Sequence, residues 1–83
     1  MEDQVRRILA QNGRLAVPVD GLAQDADLFA AGLDSLAIVN VLMSIEEHFD
    51  IELPDDLLSR RTFASIGAIT RVVSELTARV AST

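Results

Sequence analysis

Asp34-Ser35-Leu36 sets a hydroxyl between an acid and an apolar side chain, just after Gly32 and at the head of a long apolar stretch. A serine nucleophile needs a base within hydrogen-bond reach, and hydrolases commonly present it in G-x-S-x-G. Here the run is G-L-D-S-L, and the only histidine, His48, follows thirteen residues later. On one helix that spacing is about 20 Å along the axis, so His48 cannot serve Ser35. Calcium is a second chemistry to weigh, because the run from Asp25 to Leu36 opens D-x-D like an EF-hand loop. Its fifth, sixth and twelfth positions are Phe29, Ala30 and Leu36, where an oxygen ligand, a glycine and a bidentate glutamate are required. No metal site follows, and His48 has no partner ligand beside it. What remains locally is a helix start, with Asp34 as N-cap and Ser35 as the first helical residue.

The elements that must position this serine are helical. Val5, Ile8 and Leu9 recur at helical spacing and Gly13 closes a first helix, as the residue that most easily turns left-handed. A long loop follows through Pro18, Gly21 and Gly32, pinned to the core by Leu15, Val17, Leu22, Leu28 and Phe29. Loops of ~20 residues are uncommon in compact domains and are usually functional. A second helix runs from 35 to 49. Leu36, Val39 and Met43 form one apolar row on it and Ile38, Leu42, Ile45 and Phe49 a second, together a wide stripe facing the core, with Glu46 and Glu47 on the wet side. Pro54 opens a short third helix near 55–60. Ser65 caps a fourth, whose apolar residues Ile66, Ile69, Val72, Val73, Leu76 and Val80 keep helical spacing. Phe29, Phe49 and Phe63 are core anchors and His48 is a surface residue. The fold class is all-α: a small four-helix bundle with a long loop between helices one and two and a short third helix.

Composition narrows the function. A chain of 83 residues makes one domain, residues 1–83, with no room for a catalytic domain beside a binding domain. It has no cysteine, so neither disulfides nor thiolate metal sites supplement the core. Thirteen acids oppose seven arginines and no lysine, a net charge of −6, which argues against nucleic acid and for basic protein partners. No apolar run is long enough for membrane insertion and no secretory leader is apparent, so a cytoplasmic monomer is expected. Glu46, Glu47, Asp50, Glu52, Asp55 and Asp56 gather acid around the end of the second helix.

The run from Asp25 to Pro54, "DADLFAAGLDSLAIVNVLMSIEEHFDIELP", resembles the acyl carrier protein family in its D-L-F-x-x-G-L-D-S-L entry, its I-E-E-H-F helix end and the following D-I-E-L-P; "TFASIGAI" extends the likeness more loosely. The resemblance implies that Ser35, flanked by Asp34 and Leu36, carries 4′-phosphopantetheine, transferred from coenzyme A by a phosphopantetheinyl transferase (holo-ACP synthase) with Mg²⁺. Cargo then rides as a thioester on the arm, so the chain is a carrier rather than an enzyme. It also implies a partner-facing surface of Leu36, Val39, Asn40, Met43, Glu46 and Glu47, with Leu36 exposed. Carriers of fatty acid synthesis usually have acids where this chain has Ala37 and Asn40, which suggests a specialised carrier with dedicated partners. A group of stand-alone carriers charged with a small amino acid, by a ligase resembling the catalytic part of a seryl-tRNA synthetase, is similar over the same stretch. Cargo is therefore expected to be acyl or aminoacyl, loaded by a ligase and passed to downstream transferases. The rival reading is an acidic helical interaction module without a prosthetic group.

Overall fold

The computed structural model describes residues 1–81. It is all-α among them, with three helices: α1 (Glu2–Asn12), α2 (Ser35–Phe49) and α3 (Ile66–Ala81). Their inner faces share one apolar core with the connections. Val5, Ile8 and Leu9 come from α1, Ala37, Val41 and Ile45 from α2, and Ile66, Ile69, Val73 and Leu76 from α3. Leu28, Leu33, Ile51, Leu53 and Phe63 fill the space between them. The side chain of Val80, last of the expected α3 row, lies outside the described residues.

Helix α1 begins with Glu2 and Asp3, acids that suit the positive end of the helix dipole. It ends at Gly13, but that glycine is right-handed (φ −78°, ψ −18°), and the left-handed residue is Arg14 (φ 53°). Close approach explains the glycine instead. Its N–H donates to the Leu9 carbonyl at 2.7 Å, and a Cβ would also fall 2.7 Å from that oxygen.

The first connection is long, yet backbone bonds stitch it to the helices. Ala16 N–H donates to the Ala31 carbonyl (2.8 Å), Leu28 N–H to Ala64 (2.8 Å), and Gly67 N–H to Gln24 (2.9 Å). Arg6 adds a side-chain clamp: its Nε meets Glu2 Oε2 at 2.9 Å, and Nη1 donates to the carbonyls of Val19 (3.0 Å) and Leu22 (2.9 Å). Gly32 is needed as glycine, since its φ of +114° suits no other residue and a Cβ there would press on Ala16 N at 3.0 Å. Of the expected anchors, Leu28 is fully buried and Leu15, Leu22 and Phe29 are half-buried. Val17 is exposed and anchors nothing. Phe63 is a core residue as expected, whereas Phe49 is half-buried, edge-on to exposed His48.

The third helix expected near 55–60 is a single 3-10 turn, Asp55–Leu57, closed by Leu57 N–H to the Pro54 carbonyl and Leu58 N–H to Asp55. A short helix depends on tertiary packing for its stability. Leu57 alone of this turn meets the core, while Leu58 is exposed, so nothing extends it. Ser65 caps α3 as expected, its Oγ accepting the Ala68 N–H at 3.0 Å.

Candidate functional site

Ser35 is the first residue of α2 and is exposed. Asp34 fixes it there. With extended backbone (φ −117°, ψ 178°), Asp34 turns its carboxylate inward along the chain, and Oδ1 accepts the Ala37 N–H at 2.8 Å. That bond satisfies a helix-opening donor and leaves the neighbouring hydroxyl free to face outward. The entry itself is anchored from behind by Leu28, Leu33 and Ala37, all buried.

Of the wide core stripe expected on α2, the second row holds, with Ile45 sealed and Ile38, Leu42 and Phe49 packed against the core, but the first row faces outward. Leu36 is 73%, Val39 51% and Met43 61% exposed, while Ala37, Val41 and Ile45 are sealed. At about 100° per residue, Leu36, Val39, Asn40, Met43, Glu46 and Glu47 share one arc away from Val41. Leu36 is the most exposed of its apolar members, as expected. Ile38, Leu42 and Phe49 flank the core half-buried. The true core row was obscured in the sequence because two of its members, Ala37 and Val41, are smaller than the apolar residues outside it.

Glu46 departs from its expected place on the wet side. It is half-buried, and its Oε2 accepts the Leu53 N–H at 2.9 Å. Its carbonyl accepts from Ile51 at 3.1 Å and from Asp50, which is left-handed (φ 54°) at the helix end. Glu46 therefore ties the end of α2 to the next connection, and Glu47 is the exposed acid of the two.

Beside Ser35 lies a groove of about 350 Å³, walled mainly by the apolar side chains of Ile38, Val39, Leu42, Leu58 and Phe63, with Arg60 on its rim. The Arg60 guanidinium stacks over the Phe29 ring, 4.1 Å from its centroid. Sequence spacing gave no sign of this pair, which joins residues 31 positions apart. A larger, shallower depression of about 830 Å³ lies against α3 between Gln24 and Ser74 and does not include Ser35. His48, the only histidine, sits at the opposite end of α2 against Phe49 and cannot act as a base toward Ser35. The arrangement at Ser35 offers an accessible hydroxyl, a helix N-terminus that favours an anion, and an apolar trough. Among the described residues no helix is long and apolar enough to cross a membrane.

The family description "Phosphopantetheine attachment site" matches residues 3–79. The aminoacyl carrier protein of Agrobacterium fabrum is 56% identical over 69 residues, which cover 83% of each chain. In three dimensions the chain is similar, with a TM-score of 0.86 and 54% identity over 89% of this chain and 99% of the other, to a chain in a crystal structure of an engineered Bradyrhizobium japonicum glycine:[carrier protein] ligase complexed with the carrier protein from Agrobacterium tumefaciens and AMP. It is also similar to the holo acyl carrier protein of Nitrosomonas europaea, with a TM-score of 0.78 and 33% identity over 89% and 92% of the two chains. With its helices, its exposed serine and nearly its whole length accounted for, the chain belongs to the phosphopantetheine-attachment family of acyl and aminoacyl carrier proteins, whose prosthetic group is 4′-phosphopantetheine.

Proposed function

We propose that Ser35 is the attachment residue and that the cargo is a small amino acid, held as a thioester and loaded by a dedicated ligase. The observation that carries the attachment is the exposed Ser35 hydroxyl at the Asp34-capped mouth of α2, beside an apolar groove. The residues fit the group. The oxygen is reachable, the helix end suits a phosphodiester, and the trough suits a largely uncharged arm. Attachment forms a bond from Ser35 Oγ to the pantetheine-side phosphorus of coenzyme A, breaks the pyrophosphate bridge so that adenosine 3′,5′-bisphosphate leaves, and passes the hydroxyl proton to the transferase. Once bound, the group supplies a terminal thiol on which cargo is held as a thioester.

The aminoacyl reading rests on the 56% identity to an aminoacyl carrier protein and on the ligase complex that holds a similar chain. Glycine, the substrate in that ligase's name, is the first amino acid to test. Leu36, Val39, Asn40, Met43 and Glu47 form the partner-facing surface, with Leu36 beside the arm; Glu46 supports it through its bond to Leu53. In this reading residues 1–83 are a single carrier domain, monomeric and cytoplasmic. Catalysis belongs to the partners: the phosphopantetheinyl transferase, the ligase and downstream transferases.

The test is intact-mass measurement after incubation with coenzyme A, Mg²⁺ and a phosphopantetheinyl transferase. One phosphopantetheine is expected on the wild type and none on Ser35→Ala, with helical circular dichroism unchanged. Since the chain has no cysteine, one titratable thiol per molecule must appear in parallel. Holo-protein is then offered to a glycine:[carrier protein] ligase with ATP and glycine, and separately to a malonyl transferase. A glycyl adduct released by hydroxylamine supports the aminoacyl cargo. Efficient malonyl loading without a glycyl adduct returns the chain to ordinary acyl transport. A wild type left unmodified by several transferases favours the interaction module without a prosthetic group.

A further inference from the structure

We infer that Arg60 is a positioning residue for the prosthetic group, its guanidinium pairing with the phosphodiester on Ser35. The inference rests on Ser35 being the attachment residue. Arg60 and Ser35 line the same groove, and the other side chains named on its walls are apolar or hydroxylic, so Arg60 supplies its only cation among the described residues. The guanidinium is held in place by the Phe29 ring rather than by an acid: it makes no ion pair with a carboxylate of the described residues. Stacking on an aromatic face leaves the N–H fork in the guanidinium plane open for an anion, and that planar fork matches phosphate oxygens well.

The acids that share the neighbouring depression with Arg60 make no ion pair with it. Asp25 and Asp27 line the depression on the Phe29 side, with Arg60 and Arg61. Asp27 Oδ1 is already engaged, accepting the N–H groups of Phe29 (2.9 Å) and Ala30 (3.3 Å). In a chain of net charge −6, what sets Arg60 apart from the other arginines is its place: it lines the groove beside Ser35. Its effect is to anchor the first charged group of the arm and so set the direction in which the arm leaves Ser35.

Arg61 provides the control. It is adjacent, carries the same charge and is exposed, but does not line the Ser35 groove. The experiment converts ¹⁵N-labelled apo-protein to holo-protein and follows the arginine Nε–Hε cross-peaks, with intact mass as the record of modification. The Arg60 cross-peak is expected to move, with proton exchange slowed about two- to fivefold, the scale of an exposed ion pair, while Arg61 stays in place. The ³¹P resonance of the phosphodiester should then shift in holo Arg60→Gln, shift part of the way in Arg60→Lys, and match the wild type in Arg61→Gln. If Arg60 only props Phe29, Arg60→Gln moves the Phe29 ring signals and leaves ³¹P unchanged, which overturns the inference. So does full modification with an unmoved Arg60 cross-peak, a wild-type observation that needs no variant to fold. An absent mass increase is a different failure, that of the attachment reading itself.

Discussion

The two sides of α2 are both apolar, and only one is a core. Ala37, Val41 and Ile45 are sealed, whereas Leu36, Val39 and Met43 stand more than half exposed across the same turns. The buried side carries the smaller residues because α1 and α3 press against it. The outer side keeps large apolar side chains more than half in water, an arrangement that single domains retain mainly for contact with something else. Apolar character thus serves stability on one side, and on the other it is left exposed, as the proposed partner-facing surface requires. The acid pair repeats the division at the end of the helix: Glu46 holds the Leu53 amide, and Glu47 faces solvent.

The hardest test of this division is truncation on each side. Ile45→Ala should lower unfolding free energy by about 2–4 kcal/mol in urea titration, as expected for a sealed isoleucine in a small core. Leu36→Ala should leave the urea midpoint unchanged yet reduce kcat/KM for ligase loading by roughly tenfold, about 1.4 kcal/mol. A stability loss at Leu36 equal to that at Ile45 would erase the distinction. Asp34→Ala removes the cap and should cost about 1 kcal/mol, with fraying confined by hydrogen exchange to the first turn of α2. The smallest difference is expected between the acids: Glu46→Gln weakens a charge-assisted bond by about 1 kcal/mol, read as a lower melting temperature, whereas Glu47→Gln leaves melting unchanged and reduces only the salt dependence of loading.

Much of this was written in local spacing. Asp34 and Ser65 are short acceptors just ahead of apolar periodic runs, and both cap the helices they announce. Ser35, the bounds of α2 and the inner row of α3 were legible for the same reason. The orientation of α2 was legible only in part: the row through Ile45 does meet the core, but apolar residues lie on most of the circumference, and the large Leu36, Val39 and Met43 masked the smaller Ala37 and Val41. The 3-10 turn at Asp55–Leu57 depended on Leu58 finding no core, a tertiary fact. Gly13 signalled the end of α1 correctly but by closeness to the Leu9 carbonyl rather than by handedness. The long-range contacts of Arg6 and Arg60, and the bond that turns Glu46 from an expected docking acid into a tie to Leu53, were not legible because the partners lie 7 to 31 positions away, where helical spacing carries no information.

The stitched connection ahead of α2 has a kinetic consequence. Its backbone hydrogen bonds run to three separate places: from Ala16 N–H to the loop's own far end, from Leu28 N–H to Ala64 ahead of α3, and from Gly67 N–H at the start of α3 to the Gln24 carbonyl. Arg6 adds α1 to the same knot. None of these bonds can break by simple fraying, since each joins segments distant in sequence. The Leu28 amide, although it belongs to a loop, should therefore exchange as slowly as the core amides of Val41 and Ile45, through opening of the whole domain. With the arm on Ser35 as proposed, the serine rides on a mount whose lifetime is that of the folded molecule, so that motion during delivery comes from the arm and hardly at all from the protein beneath it.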